Sequence, residues 1–365
     1  MAGQTNKLVE MASQMSERPD PESYDMLLAS GEQVSCALLA MALKDLGLRA
    51  VPLLGFQAGL ETSHHFSKAR ILKINPKILQ SIVDQGAVPI VAGFQGFVSE
   101  GLKASKITTL GRGGSDTSAV AIAIAMKASR CDIFTDVDGV YTADPRIVPQ
   151  ARRIPRIRFD EMMELASLGA KVLHMRSVEL AAKYQMPLRV LSSFDPQQGG
   201  TLLHSESLES PVVSAITSDH AEALLTIRME ESKAYFPNLY FKPLAEAGIN
   251  VDVIVRSVAD DQSMASISFT VPRDEGTKAL ELLKRNFPSE NLQLKPESVV
   301  KVSIVGLGMR THSGVAAQMF EVLAEKKIPV RLITTSEIKV SVLIDEPQKA
   351  LAIQSLHAAF GLGQP

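Results

Sequence analysis

Thr108-Thr109-Leu110-Gly111-Arg112-Gly113-Gly114-Ser115-Asp116-Thr117 stands directly ahead of an alanine-rich stretch of helical character. Glycines let backbone N–H groups approach an anion, and the first turn of a helix presents a positive dipole end, so the run is suited to cradle a phosphate. Arg112 offers a bidentate fork for a carboxylate, and Ser115 or Asp116 can cap the helix. Alone, the same residues also describe an ordinary glycine turn before a helix. A second run follows, Thr135-Asp136-Val137-Asp138-Gly139-Val140-Tyr141-Thr142-Ala143-Asp144-Pro145-Arg146. It leaves the carboxyl end of an expected strand, Cys131 to Asp136, where open α/β sheets bind ligands. Asp136 and Asp138 suit a metal ion or a ribose, Tyr141 a base and Arg146 a phosphate. The competing reading is an Asp-Gly turn and a loop that Pro145 ends.

Outward from these runs, the first two hundred residues alternate strand-like and helix-like segments. Helices are expected over Gly31 to Leu48, Ser115 to Lys127 and Glu161 to Tyr184, and strands over Ala50 to Leu54, Val88 to Gly93, Cys131 to Asp136 and Leu188 to Leu191. That order predicts crossover units and a mostly parallel sheet covered on both faces. Pro196 to Gly200 and the serine-rich His204 to Ser210 read as a boundary. Beyond it two β-α-β-β-α units overlay each other. The first runs from the strand Glu222 to Arg228 to a closing strand at Leu292 to Leu294, and the second from Lys301 to Val305 to a helix at Pro347 to Phe360. The second lacks a closing strand, which Val212 to Thr217 is expected to supply by crossing over. The expected domains are therefore 1–203, a linker with crossover strand at 204–221, and small domains at 222–299 and 300–365.

The bulk composition removes several classes of function. The 365 residues are 45% hydrophobic and 21% charged, which predicts a folded chain with room for two or three cores. A formal charge of -2, without a run of five like charges, gives no footprint for nucleic acid or an anionic membrane. The longest strongly apolar stretch, Ala119 to Met126, falls short of the roughly 18 residues of a span. Cys36 and Cys131 lie apart in apolar runs, fitting a reducing cytoplasm rather than a disulfide or zinc framework. His64-His65 lacks the partners a metal site needs and reads as surface loop. Glu32 reads as a first-turn carboxylate favoured by the helix dipole, and Lys171 as either a solvated lysine or a nucleotide ligand.

Together, Gly31-Glu32, the TTLGRGGSDT run, the TDVDGVYTADPR run, Glu161 to Lys171 and the closing TTSEIKVSVLI run at 334–344 resemble the aspartate kinases of the amino-acid-kinase fold. The resemblance implies a three-layer αβα kinase domain followed by two ferredoxin-like βαββαβ ACT domains. It implies phosphorylation of the side-chain carboxylate of L-aspartate by ATP with Mg²⁺, giving 4-phospho-L-aspartate for lysine, threonine and methionine biosynthesis in the cytoplasm. Glu32 would take the substrate ammonium, Arg112 its α-carboxylate, and Gly113, Gly114 and Ser115 the transferring phosphoryl group, with Asp116 organising the catalytic groups and Thr5 on the substrate side. Thr135, Asp136, Tyr141, Thr142, Ala143, Asp144, Pro145, Arg146 and Lys171 would form the nucleotide site. Lysine or threonine would act as effector at the ACT domains, which would also join the chain into a homo-oligomer.

Two departures carry expectations. The family's opening Lys-Phe-Gly-Gly-Thr-Ser type motif has no counterpart, so the kinase domain is expected to lack its first strand and helix and the phosphate-facing lysine. A catalytically silent amino-acid-binding regulator is the alternative, and a kinase for glutamate or a carbamate a third reading. The family's Asp-x-Pro-Gly effector turn aligns with Ser232-Lys233-Ala234-Tyr235, where Lys233 is expected to repel an ammonium group. His312-Ser313-Gly314-Val315 keeps the second turn better.

Overall fold

The computed structural model describes residues 3–99, 105–170, 172–205, 211–258, 264–295, 298–310, 312 and 314–364. They gather into two compact units. The first takes in Met1–Val140, Ile154–Ala166 and Lys171–Glu206, and the second Tyr141–Arg153, Ser167–Ala170 and Ser207–Pro365. The expected domain 1–203 thus gives up two internal segments, and the two small domains share one unit.

In the first unit the anticipated strands form at Ala50–Leu53, Val88–Val91, Cys131–Thr135 and Leu188–Ser192. They pair in parallel, first with second and third with fourth, as crossover connections require. Across the unit's described residues four strand pairings are parallel and three antiparallel, so the sheets are mixed. Leu60–Thr62, Ile71–Ile74, Gln95–Val98 and Lys106–Thr109 make a further, four-stranded sheet that the sequence pattern does not announce. Strands of three or four residues are too short for alternation to register.

Two helix boundaries are corrected. The helix expected from Gly31 spans Pro21–Asp45, capped by Asp20, whose carboxylate accepts from the Ser23 N–H at 2.9 Å, with Pro21 in the first turn. Glu32 is therefore mid-helix, and the dipole explanation for it falls. Gly31 stays helical within that segment, where a Cβ would sit 3.2 Å from Leu8 Cδ1 on the helix Gln4–Met15. This longer helix is also apolar and long enough by composition to cross a membrane, unlike the shorter stretches read from sequence. One of its faces holds the fully buried Asp25, and Cys36 and Ala40 join a core with Ala50, Ile90 and Ala92. The helix expected over Glu161 to Tyr184 is two, Phe159–Ser167 and Met175–Tyr184. Gly169 adopts φ 100 between them, and a Cβ there would meet the Ser218 carbonyl at 2.6 Å.

The second unit is built on one seven-stranded sheet in the order Ile254–Val258, Met264–Pro272, Ala215–Glu230, Val299–Val305, Lys339–Asp345, Leu332–Thr335, with Asn291–Leu294 also on Ala215–Glu230. The anticipated crossover is present, but the two expected strands are one. Ala215 to Ser218 pairs with Val302 to Val305, and beyond a bulge Glu222 to Glu230 pairs with Pro272 to Met264. Helices Asn238–Glu246 and Gly276–Asn286 belong to one half, with Leu225, Ile227, Phe269 and Leu283 in its core. Val315–Glu325 and Lys349–Ala359 belong to the other, with Val302, Ile304, Met319 and Leu356. Near the bulge Asp219, Glu222 and Asp252 bring carboxylate oxygens within 4.8 Å of one another. The Lys301 ammonium bonds Asp252 and lies 3.7 Å from Asp219. Burial pushes the Glu222 carboxyl up to about 7. The altered effector turn is a short helix, Glu231–Ala234, and Lys233 pairs with Glu290 at 2.8 Å. The Glu290 carboxylate thus offsets part of the Lys233 charge. Ser313 of the second turn lies outside the described residues.

Candidate active site

In the first unit the strand Lys106–Thr109 feeds the glycine run, and the helix Gly114–Ala125 leaves it. Gly111 and Gly113 take φ 78 and 68, a region that disfavours other residues. The helix is capped by Gly113 without a side-chain bond, so neither Ser115 nor Asp116 caps it. Both instead stand in its first turn, Ser115 exposed and Asp116 half-buried. Arg112 is exposed, free to reach a ligand in solution.

Asp25 ties this run to the helix that carries Glu32. Fully buried, its carboxylate accepts from the Thr109 N–H at 2.7 Å, Thr109 Oγ1 at 2.8 Å, the Ser67 N–H at 2.9 Å and Ser67 Oγ at 2.9 Å. A carboxylate that accepts from this many donors fixes both partners in place. Seven residues, about two turns, separate Asp25 from Glu32, so the two share a helix face. Gln95 adds a second tie, donating to the Ala29 carbonyl at 3.1 Å while its strand pairs Gln95 with Thr109. Burial raises the Glu32 carboxyl above its usual range. Thr5 is exposed on the helix Gln4–Met15.

Two residues that sequence reasoning overlooked hold the glycine run from the other side. Arg176 donates to the Leu110 carbonyl at 2.5 Å and to the Ala69 carbonyl at 3.0 Å. His174 fills the space over Gly113, where a Cβ would lie 2.1 Å from its Cβ and Cγ. Asp116 is pushed up by burial, and pulled back by the His174 backbone N–H that it accepts from and by the charge of that imidazole. The Cys131 thiol, raised to about 11 by burial, is not a nucleophile near neutrality.

The second run divides between the units. Thr135 is half-buried and donates to Asp136 at 3.0 Å in the first, where Asp136 is exposed. Tyr141 to Arg146 lies in the second. There Thr142 and Ala143 are buried, 6% and 3% exposed, and Ala143 joins the core of that unit. Asp144 accepts from the backbone N–H and guanidinium of Arg146, which lowers its pKa and aims an 89% exposed arginine at solvent beside Pro145. Lys171 lies outside the described residues.

A helix N-terminus in a glycine run, a buried carboxylate binding that run to a helix with an acidic side chain, and an exposed arginine within the run suit phosphoryl transfer to an amino acid. The sequence profile of the amino acid kinase family matches residues 2–192, over half of the chain, and that of an ACT domain matches residues 302–360. The chain belongs to the amino acid kinase family. Within it, the relatives are aspartokinases. That of Pseudomonas aeruginosa is 48% identical across the whole chain, which covers 89% of the relative. Two crystal structures of Escherichia coli aspartokinase III, each 28% identical, match 97% of this chain and 80% of their own. The complex with aspartate and ADP has a TM-score of 0.74, and the complex with lysine and aspartate 0.75.

Proposed function

We propose that the chain transfers the γ-phosphoryl group of ATP to the side-chain carboxylate of L-aspartate, giving 4-phospho-L-aspartate and ADP. The observation that carries this reading is the Asp25 tie, which sets an acceptor for ammonium, Glu32, and the arginine-bearing glycine run on one framework. A carboxylate oxygen attacks phosphorus as the bond to the β-phosphate oxygen breaks, and the bonding pair leaves with ADP. The nucleophile is already an anion, so no proton has to be removed and no general base is required. The residues have to position the groups and offset charge.

Glu32 takes the ammonium group and Arg112 the α-carboxylate, while Gly113, Gly114 and Ser115 offer amides at the helix start to the phosphoryl oxygens. Asp116, steadied by His174, organises this end of the site. Thr5 serves the substrate side. Thr135, Asp136, Tyr141, Asp144, Pro145, Arg146 and Lys171 serve the nucleotide. Mg²⁺ fits this donor set, because it needs only one or two carboxylates beside phosphate oxygens, and the exposed Asp136 would supply one. When bound it would offset charge on the phosphates. Lysine or threonine binds the ACT pair at 222–299 and 300–365, which also joins the chain into a homo-oligomer. The free thiols Cys36 and Cys131 fit a cytoplasmic setting. Hydroxylamine converts an acyl phosphate to a hydroxamate, which separates this product from other phosphorylated compounds. Hydroxamate formed with ATP and L-aspartate, but not with L-glutamate, is expected; its absence with aspartate refutes the reading.

A further inference from the structure

Thr142 sits in the middle of the nucleotide run, yet every polar group it has is engaged by the second unit. Its N–H donates to the Arg152 carbonyl at 2.9 Å, and its carbonyl accepts from Ile216 at 2.8 Å. Its hydroxyl accepts from the Arg152 N–H at 3.0 Å and bonds His357 Nε2 at 2.9 Å. Thr142 therefore has nothing left for a nucleotide, and its work is structural. One element outside the loop recurs among its contacts. His357, 2% exposed, and Gln354 both lie on the helix Lys349–Ala359, and Gln354 donates to the Ile147 carbonyl at 2.8 Å. Just past that helix the Leu362 carbonyl accepts from Arg152 Nε at 3.1 Å. The loop is thus stitched at two points to the helix Lys349–Ala359 and at a third to the residues just past it, beginning two residues after Val140, where it leaves the first unit.

We propose that the helix Lys349–Ala359 positions the nucleotide run, with His357 and Gln354 holding Tyr141–Arg146 in the shape that admits the nucleotide, so that the C-terminal unit sets nucleotide affinity. This rests on the assignment of Tyr141–Arg146 to the nucleotide. His357 is a positioning residue, acting through Thr142. A loop that has to be ordered before it binds loses affinity by the fraction of time it spends out of shape, and the aspartate-side groups in the first unit do not share that cost.

The test is calorimetric titration of the full chain with Mg-ADP and, separately, with L-aspartate. His357→Ala is expected to weaken ADP on the order of 5- to 100-fold, because it removes a buried hydrogen bond and leaves the Thr142 hydroxyl short of a partner. His357→Gln, whose amide nitrogen can occupy the place of Nε2, is expected to recover most of that loss. Gln354→Ala, an exposed change that does not threaten folding, is expected to weaken ADP by roughly 2- to 10-fold. Aspartate affinity is expected to stay constant in all three. Unchanged ADP affinity in His357→Ala and Gln354→Ala, beside a clear loss in Arg146→Ala, overturns the positioning role alone. If Arg146→Ala also leaves ADP unaffected, the nucleotide assignment fails and this inference with it. Equal loss of both ligands, without recovery in His357→Gln, reduces His357 to a core residue and likewise overturns it.

Discussion

Gly113→Ala places a methyl group where the structure has no space for one. The residue is at φ 68, which costs a residue with a side chain roughly 1–2 kcal/mol. The new Cβ would stand 2.1 Å from both Cβ and Cγ of His174, against a usual carbon separation of about 3.5–4.0 Å. Rotating the imidazole cannot clear this, because the Cβ is itself in the way. The backbone around His174 has to move by about 1.5 Å, adding roughly 1–3 kcal/mol as overpacked sites do. Thermal unfolding followed by circular dichroism should then show a total cost of about 2–5 kcal/mol. The His174 N–H is bonded to Asp116, so the movement also disturbs the site. Hydroxamate formation at saturating substrates should drop by roughly 100-fold, as expected for a displacement of about an ångström. His174→Ala keeps the offending Cβ and cannot relieve the cost, whereas His174→Gly can. The pair Gly113→Ala with His174→Gly should therefore be more stable than the sum of the single changes by about 1–3 kcal/mol. Strict additivity would refute the account of why residue 113 is glycine.

Arg112→Lys keeps the charge but loses the bidentate fork, so the KM for aspartate should rise by about tenfold or more while Mg-ADP affinity is unaltered; a loss confined to ADP would move Arg112 to the nucleotide. His174→Gln keeps the backbone N–H on Asp116 and removes the imidazole charge that lowers its pKa, so the acid limb of kcat should move to higher pH, and an unmoved limb counts against Asp116 as the group that must be ionised. Glu222 keeps its proton up to about 7 in the folded chain, against 4.5 ordinarily. Below the ordinary value both states are protonated; as pH rises toward 7 the unfolded chain loses its proton first, and stability falls and then levels off. Glu222→Gln removes that slope and should gain stability over the parent near pH 8 but hardly near pH 4, and a gap that is the same at both would show that folding leaves the Glu222 carboxyl at its ordinary value.

The parts of the fold that could be read from sequence were those with long-range regularity. Alternating strand and helix runs marked the first unit, and self-similarity marked the second, including the crossover of residues 215–218, which followed from a missing strand. The start of the Pro21–Asp45 helix was legible in Asp20-Pro21-Glu22 but was passed over in favour of the stronger apolar period after Gly31. Asp25 was hidden with it. Among site residues, sequence spacing placed Gly113 to Asp116 on a helix start, because local chemistry dictates that. It could not show that Thr142 and Ala143 turn inward, since their burial is set by Ile216 and His357, distant in the chain. Nor could it reveal His174 and Arg176, whose work is done on backbone some sixty residues earlier.

The sixteen-residue strand Ala215–Glu230 gives the two halves of the second unit a common spine, and this limits how such a region can be altered. A recombination that exchanged one repeat for another with different ligand preference would have to sever a strand hydrogen-bonded to both neighbours, leaving each fragment with a raw edge prone to self-association. The pair is therefore heritable only as a block. New binding properties would have to arise by substitution within it rather than by shuffling its halves.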